Sequence, residues 1–135
     1  MVTWVRWSQP CPKRPLDGHR TSRQAAAVET VCVKVKLKPG SLEQVHEWTD
    51  ELRSRADEVL ATFRDEDVVV ESVFLDSNEQ GDYLVYYMKA RSLSAAREAA
   101  ERSSHPIDAY HERFKAQTWE SRSSLELLVD FENFA

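Results

Sequence analysis

Apolar and polar residues alternate strictly from Val31 to Lys38. Val31, Val33, Val35 and Leu37 share one side, and Cys32, Lys34, Lys36 and Lys38 share the other. That period of two predicts a strand with one buried face. Pro39-Gly40 ends it, and Ser41 with Gln44 three residues on has the form of a capping box that opens a helix. Leu42, Val45, Thr49, Leu52, Ala56, Val59 and Phe63 then recur at spacings of three and four, one stripe of a long helix. The intervening charges form its solvated face, with Glu51 and Arg55 as a favourable i,i+4 pair. Trp48 and His46 flank the stripe and read as packing residues.

Two apolar runs follow, Val68 to Leu75 and Tyr83 to Met88, separated by the turn-like Asp76-Ser77-Asn78-Glu79-Gln80-Gly81-Asp82. They predict a hairpin whose strands are apolar on both sides, so each side needs a cover. Ser92 to Arg102 predicts a short Ala-rich helix. Pro106 begins another as its first residue, with His105 as cap and Asp108 opposing the helix dipole. Ile107, Tyr110, His111, Phe114 and Thr118 share one face of it, and Leu125, Leu127, Val129 and Phe131 alternate as a last strand.

The order is strand, helix, strand, strand, helix, strand: an α+β, ferredoxin-like βαββαβ fold with a four-stranded antiparallel sheet. Its helices cover one sheet face, and a second copy of the chain is the natural cover for the other. A homodimer is expected, with Val73 and Val85 on the shared face.

Length and charge narrow the partners. A chain of 135 residues, 41% hydrophobic, fits one globular domain. Residues 1–28 hold Arg6, Lys13, Arg14, Arg20 and Arg23 against the lone acid Asp17, without helical or strand periodicity, and are expected to be a disordered basic extension. The domain is placed at 29–135, where 13 basic and 22 acidic residues leave a strongly negative body. Such a body repels a phosphate backbone, so no nucleic-acid partner is expected. No run reaches the roughly 18 apolar residues that span a bilayer, and no membrane partner is expected. Cys11 and Cys32 form no metal or redox spacing; reduced thiols and a cytoplasmic location are the expectation.

The Lys38-Pro39-Gly40 helix opening, the paired apolar strands and the segment His105-Pro106-Ile107-Asp108 with His111 resemble the dimeric α+β barrel superfamily. That superfamily includes antibiotic-biosynthesis and haem-degrading monooxygenases, and the chain is most similar to a family of unknown function related to them. The resemblance covers about residues 30–134. It implies a homodimer with a pocket between each sheet and its second helix, and it implies no particular reaction. Haem-degrading members use an Asn on the first strand with a Trp and a helical His; the first strand here has no Asn.

The residues that could carry chemistry are few. His111, Asp108 and Glu71 are the catalytic candidates: an imidazole and a carboxylate on one helix, and a carboxylate interrupting an apolar strand. Glu71 must be paired, exposed at the sheet edge, or protonated. His111, Tyr86, Tyr87, Trp119 and Phe74 are the candidate ligand-binding set, an aromatic lining with a polar group. His105 and His111 are weak metal candidates, since their spacing matches no familiar metal motif. No cofactor is expected, with haem or a divalent metal left open. Each residue also has a structural role to hand: caps for His105 and Asp108, core packing for the aromatics. Three functions follow: a small-molecule binder or enzyme, a cofactor-independent or haem-linked monooxygenase, or a structural dimer. A cavity reaching His111 favours the first two, a packed interior the third.

Overall fold

The computed structural model describes residues 28–133. The extension predicted at 1–28 therefore lies, but for its last residue, outside the described residues. The elements are β1 (Glu29–Leu37), α1 (Leu42–Ser54), α2 (Ala56–Glu66), β2 (Val68–Asn78), β3 (Gly81–Ala90), α3 (Leu93–Glu101), α4 (Pro106–Thr118) and β4 (Trp119–Ser124). This is βαββαβ with each helical crossover divided in two. The sheet is antiparallel in the order β2-β3-β1-β4, the ferredoxin-like arrangement.

The expected long first helix breaks at Arg55. Its backbone leaves the helical region (φ −115°, ψ 31°) while its N–H still reaches Glu51 O and Leu52 O at 3.0 and 3.2 Å. The guanidinium spans the joint, donating to Glu58 at 2.7 and 3.1 Å and to Glu51 at 3.4 Å. The capping box does not form. Ser41 is buried, and its hydroxyl donates back to Lys38 O at 2.6 Å, closing the turn in which Gly40 takes φ +80°. Gln44 instead reaches Gln117 on α4.

The hairpin turn is tighter than its composition suggests. Pairing persists to Asn78 and Gly81, leaving Glu79-Gln80 as the connection, and Asn78 Oδ1 accepts from Gln80 N–H at 2.8 Å. The last strand is displaced from its predicted place. The ladder to β1 is made by the polar run from Trp119 to Ser124, while Leu125, Leu127, Val129 and Phe131 lie beyond it, Phe131 being 90% exposed. An edge strand is held by backbone pairing, which needs no apolar side chains. Here the pairing starts as soon as α4 ends, where Thr118 O accepts from Lys38 N–H at 2.7 Å.

The core fills one side of the sheet. Val31, Val33, Val35 and Leu37 of β1 join Leu84, Tyr86, Met88 and Ala90 of β3 beneath the helices. On β2 the register sets Glu71, Val73 and Leu75 opposite Met88, Tyr86 and Leu84, and so in the same layer. Val73 thus packs in the core, whereas Val85 lies on the other side with Cys32, Tyr83 and Tyr87. The shared face expected for the two valines is wrong by one residue of strand parity. A bulge at Val69 separates the pairing of Val68 from that of Val70.

Between α2 and α3 the contact is made by Ala96 and Ala100, both fully buried, against a helix that buries Thr62 and Glu66. Small side chains set this approach. Ala100→Leu is expected to lower stability by about 1–3 kcal/mol through overpacking, measured by urea unfolding, whereas Ala99→Leu, at a half-buried position of the same helix, should cost less.

Candidate functional site

Two helical layers meet at a single hydrogen bond. The Trp48 indole N–H, from α1, donates to Nδ1 of His111, from α4, at 3.2 Å, and both residues are buried. Accepting at Nδ1 requires that the ring proton sit on Nε2, so the bond selects the tautomer. The imidazole also stacks on the indole with centroids 5.6 Å apart, and the other aromatic partner, Phe114, lies 4.4 Å from Trp48 and nearly parallel to it. Burial, with the Lys115 charge adding to it, pushes the His111 pKa well below its ordinary 6.5. His111 is a neutral imidazole in the folded protein.

Tyr86 stands beneath this stack on β3, with its ring 6.4 Å from His111 and 5.4 Å from Trp119. It is fully buried. Burial and the nearby Glu71 raise its pKa well above 10, while the indole N–H of Trp119 works in the opposite direction by hydrogen bonding to the phenol. The Lys115 ammonium lies 4.5 Å from the Trp119 ring centroid and 3.9 Å from Glu112. Asp108 is held at the start of α4 by the hydroxyl of Ser103, which donates to its Oδ2. The carboxylate is fully buried and fastens the turn into the helix.

His105 neither caps α4 with its side chain nor approaches His111. Its Nε2 pairs with Asp65 of α2 at 2.7 Å. Among the described residues no three His, Cys, Asp or Glu side chains come together as a metal site.

Glu71 departs furthest from the exposed or lysine-paired edge residue expected of it. Strand parity turns it under the helices although β2 is an edge. Both carboxylate oxygens are enclosed and make no hydrogen bond among the described residues. Burial raises its pKa well above 4.5, the Glu66 and Asp108 carboxylates add to the rise, and Lys115 opposes it. A carboxyl held protonated in an apolar setting can donate a hydrogen bond or a proton to a bound group.

Glu71 also lines the opening of interest. A cleft of ≈ 550 Å³ lies between α1–α2 and β2, walled by Val45, Trp48, Leu52, Val59, Phe63 and Val73, with His46, Asp50 and Arg53 among its polar residues. It is on the first-helix side of the sheet rather than under α4, where the resemblance places a pocket. The space under α4 is packed by Tyr86, His111, Phe114 and Trp119. The cleft reaches His111 only through Trp48.

The candidate residues accordingly divide. His111, Asp108, Tyr86, Trp119 and Glu71 gather on the helix-facing side, and Glu71 alone of these lines the cleft. Phe74 contributes to the cleft from the β2 edge but is 60% exposed and pairs with Val85 in the outer row. Tyr87, paired with Cys32, is in that row too, with the Lys89 ammonium 5.9 Å from its ring. Leu52, Val59 and Phe63 read in sequence as core stripe alone; their role as cleft wall depends on the α1–α2 break, for which no sequence signal was noted.

These features define a ferredoxin-like α+β domain with a cleft on its helical side. The chain belongs to DUF6176, a family of unknown function, whose profile matches residues 28–135. Among curated proteins no sequence match is found. Solved structures with a similar fold include a candidate antibiotic biosynthesis monooxygenase of Nitrosomonas europaea, at 15% identity and a TM-score of 0.50 over 73% of this chain and 86% of that one. An L-rhamnose mutarotase of Formosa agariphila gives 22% identity and a TM-score of 0.51 over 77% and 99%. A dimeric protein of unknown function and ferredoxin-like fold from Bacteroides fragilis gives 20% and 0.46 over 73% and 91%. At these identities the likeness is one of fold.

The two buried titratable groups act on stability with opposite signs. His111 has a depressed folded pKa, so as pH falls below 6.5 the unfolded chain takes up a proton first and stability is lost. Glu71 has a raised folded pKa, so its contribution is full below 4.5 and is lost as pH rises through the folded value. Glu71→Gln, which mimics the protonated acid, should therefore stabilise the protein at neutral pH by an amount that shrinks as pH falls toward 4.5; urea unfolding across that range reads it. His111→Leu leaves the Trp48 N–H without its acceptor and should cost about 1–3 kcal/mol at neutral pH.

Proposed function

We propose that the protein is a homodimer in which each subunit binds a small organic molecule in the cleft between α1–α2 and the β2 edge. The observation that carries this is Glu71. A native carboxyl enclosed without a hydrogen-bond partner is costly unless something else uses it, and this one faces an apolar cleft of a size suited to a small ligand. Around it Trp48, Leu52, Val59 and Phe63 provide an apolar wall, the usual composition of a small-molecule site. His111 serves this site as a positioning residue, through its hydrogen bond to Trp48.

Dimerisation is supported by what the single chain leaves open. Cys32, Lys34, Tyr83, Val85 and Tyr87 on the outer sheet face are only half-buried, and Phe74 is exposed among them. The apolar residues after β4 are exposed as well, with Leu128 at 82% and Val129 at 69%. Thr30 and Lys89, both near that face, anchor this stretch through Asp130, at 2.6 and 2.8 Å. A second sheet packed on the first would bury both sets.

Native mass spectrometry of protein purified without refolding tests the two parts together. The expected result is a dimer carrying added small-molecule mass. Val59→Trp, which fills the cleft, should remove that mass and leave the dimer; Val85→Lys should yield monomer. Retention of the mass by Val59→Trp would refute the cleft as the site, and a dimeric Val85→Lys would refute the sheet-to-sheet interface.

A further inference from the structure

The cleft carries information about the charge of its ligand. Glu71 is its acid, and the titratable groups that act on Glu71 are Glu66 of α2, Asp108 of α4 and Lys115 of α4. The single cation in that set is already occupied, lying 3.9 Å from Glu112 and 4.5 Å from the Trp119 ring centroid. His111 and Tyr86, the other buried titratable groups nearby, are both neutral in the folded protein. Arg53, the basic residue among those lining the cleft, is 77% exposed and lies 3.6 Å from Asp50. The potential at the cleft floor is therefore set by carboxyl groups outnumbering ammonium groups, in a setting where water screens little. A ligand carboxylate or phosphate would be repelled there. An ammonium would supply the missing donors and countercharge together, and the aromatic rings of Trp48 and Phe63 on the cleft wall are favourable neighbours for a cation.

We propose that the cleft takes an amphiphilic amine, its apolar body against Trp48, Leu52, Val59 and Phe63 and its protonated nitrogen hydrogen-bonded to the Glu71 carboxylate. The assignment rests on the cleft being the ligand site, and it adds the ligand's charge. Binding moves the Glu71 proton to the solvent and leaves a carboxylate–ammonium pair, so it involves no covalent change.

The experiment is a comparison of n-octylamine, 1-octanol and octanoate as probes, below their micelle concentrations and at neutral pH. Amide chemical shifts of full-length protein would be followed by NMR. All three share one apolar body and differ in head-group charge. The expected result is that octylamine shifts the α1, α2 and β2 amides and binds about tenfold to a hundredfold more tightly than octanol, the worth of a charge-assisted hydrogen bond, with octanoate weakest. Glu71→Gln should bring octylamine down to the octanol level and leave octanol unchanged. If octanol or octanoate binds the cleft as well as octylamine does, the cationic assignment is overturned while the cleft stands. The same holds if the amine preference survives in Glu71→Gln. If none of the three moves the cleft amides, the site itself is refuted and the ligand class with it.

Discussion

A sheet covered by helices on one side commits every strand residue to one of two environments, and the rest of this structure depends on that division. Along β3 it sends Tyr86 into the core and Tyr87 to the open face, although the two are neighbours in sequence. Along β2 it sends Glu71 inward and Ser72 outward. The cleft, the buried aromatic stack and the uncovered face are all consequences of this one parity. A slip of a single residue in β2 would exchange Glu71 for an apolar or hydroxyl side chain and remove the acid from the interior.

The helical layer adds the second constraint. Trp48 and His111 lie on different helices and 63 residues apart in sequence, yet their hydrogen bond and the stack with Phe114 make α1 and α4 a single packed unit. The rigid part of the molecule is thus next to its opening. α1 continues past this unit to the break at Arg55, and the wall of the cleft comes from both sides of that break, with Leu52 before it and Val59 and Phe63 after it. A continuous helix would carry those three on one straight stripe.

Much of the fold was legible because its signals were periodic. The alternation in β1, the three-four stripe from Leu42 to Phe63 and Pro106 as a helix start all mark elements that exist, and their order gives the ferredoxin-like topology. The misses have physical causes. Polar β4 has no apolar alternation to detect, since backbone pairing and the direct run out of α4 define it, whereas the alternating Leu125 to Phe131 satisfies the pattern without making the strand. Ser41 could bond forward to a helix N–H or backward to Lys38 O, and sequence does not decide between them. The site was legible as a set of residues and not as an arrangement. His111, Asp108, Tyr86, Trp119 and Glu71 do converge, but whether they enclose a space or fill one depends on side-chain volumes meeting across three elements. Glu71 was visible as an anomaly in its strand, and its burial required knowing which way the pleat turned.

The junction between α4 and β4 has no loop. Thr118 ends the helix and Trp119 begins the strand, and the Thr118 carbonyl is already bonded to the residue that follows β1. Length variation among descendants of this chain therefore has no room at that point, because one inserted residue would rotate the helix against the core or reverse the strand's parity. The Glu79-Gln80 turn and the Ser103–His105 joint, where the backbone is shared with fewer neighbours, are where the lineage can lengthen without cost to the interior. Diversification of this architecture is steered toward the hairpin tip and the start of α4, leaving the α4–β4 seam as the segment whose spacing is held fixed.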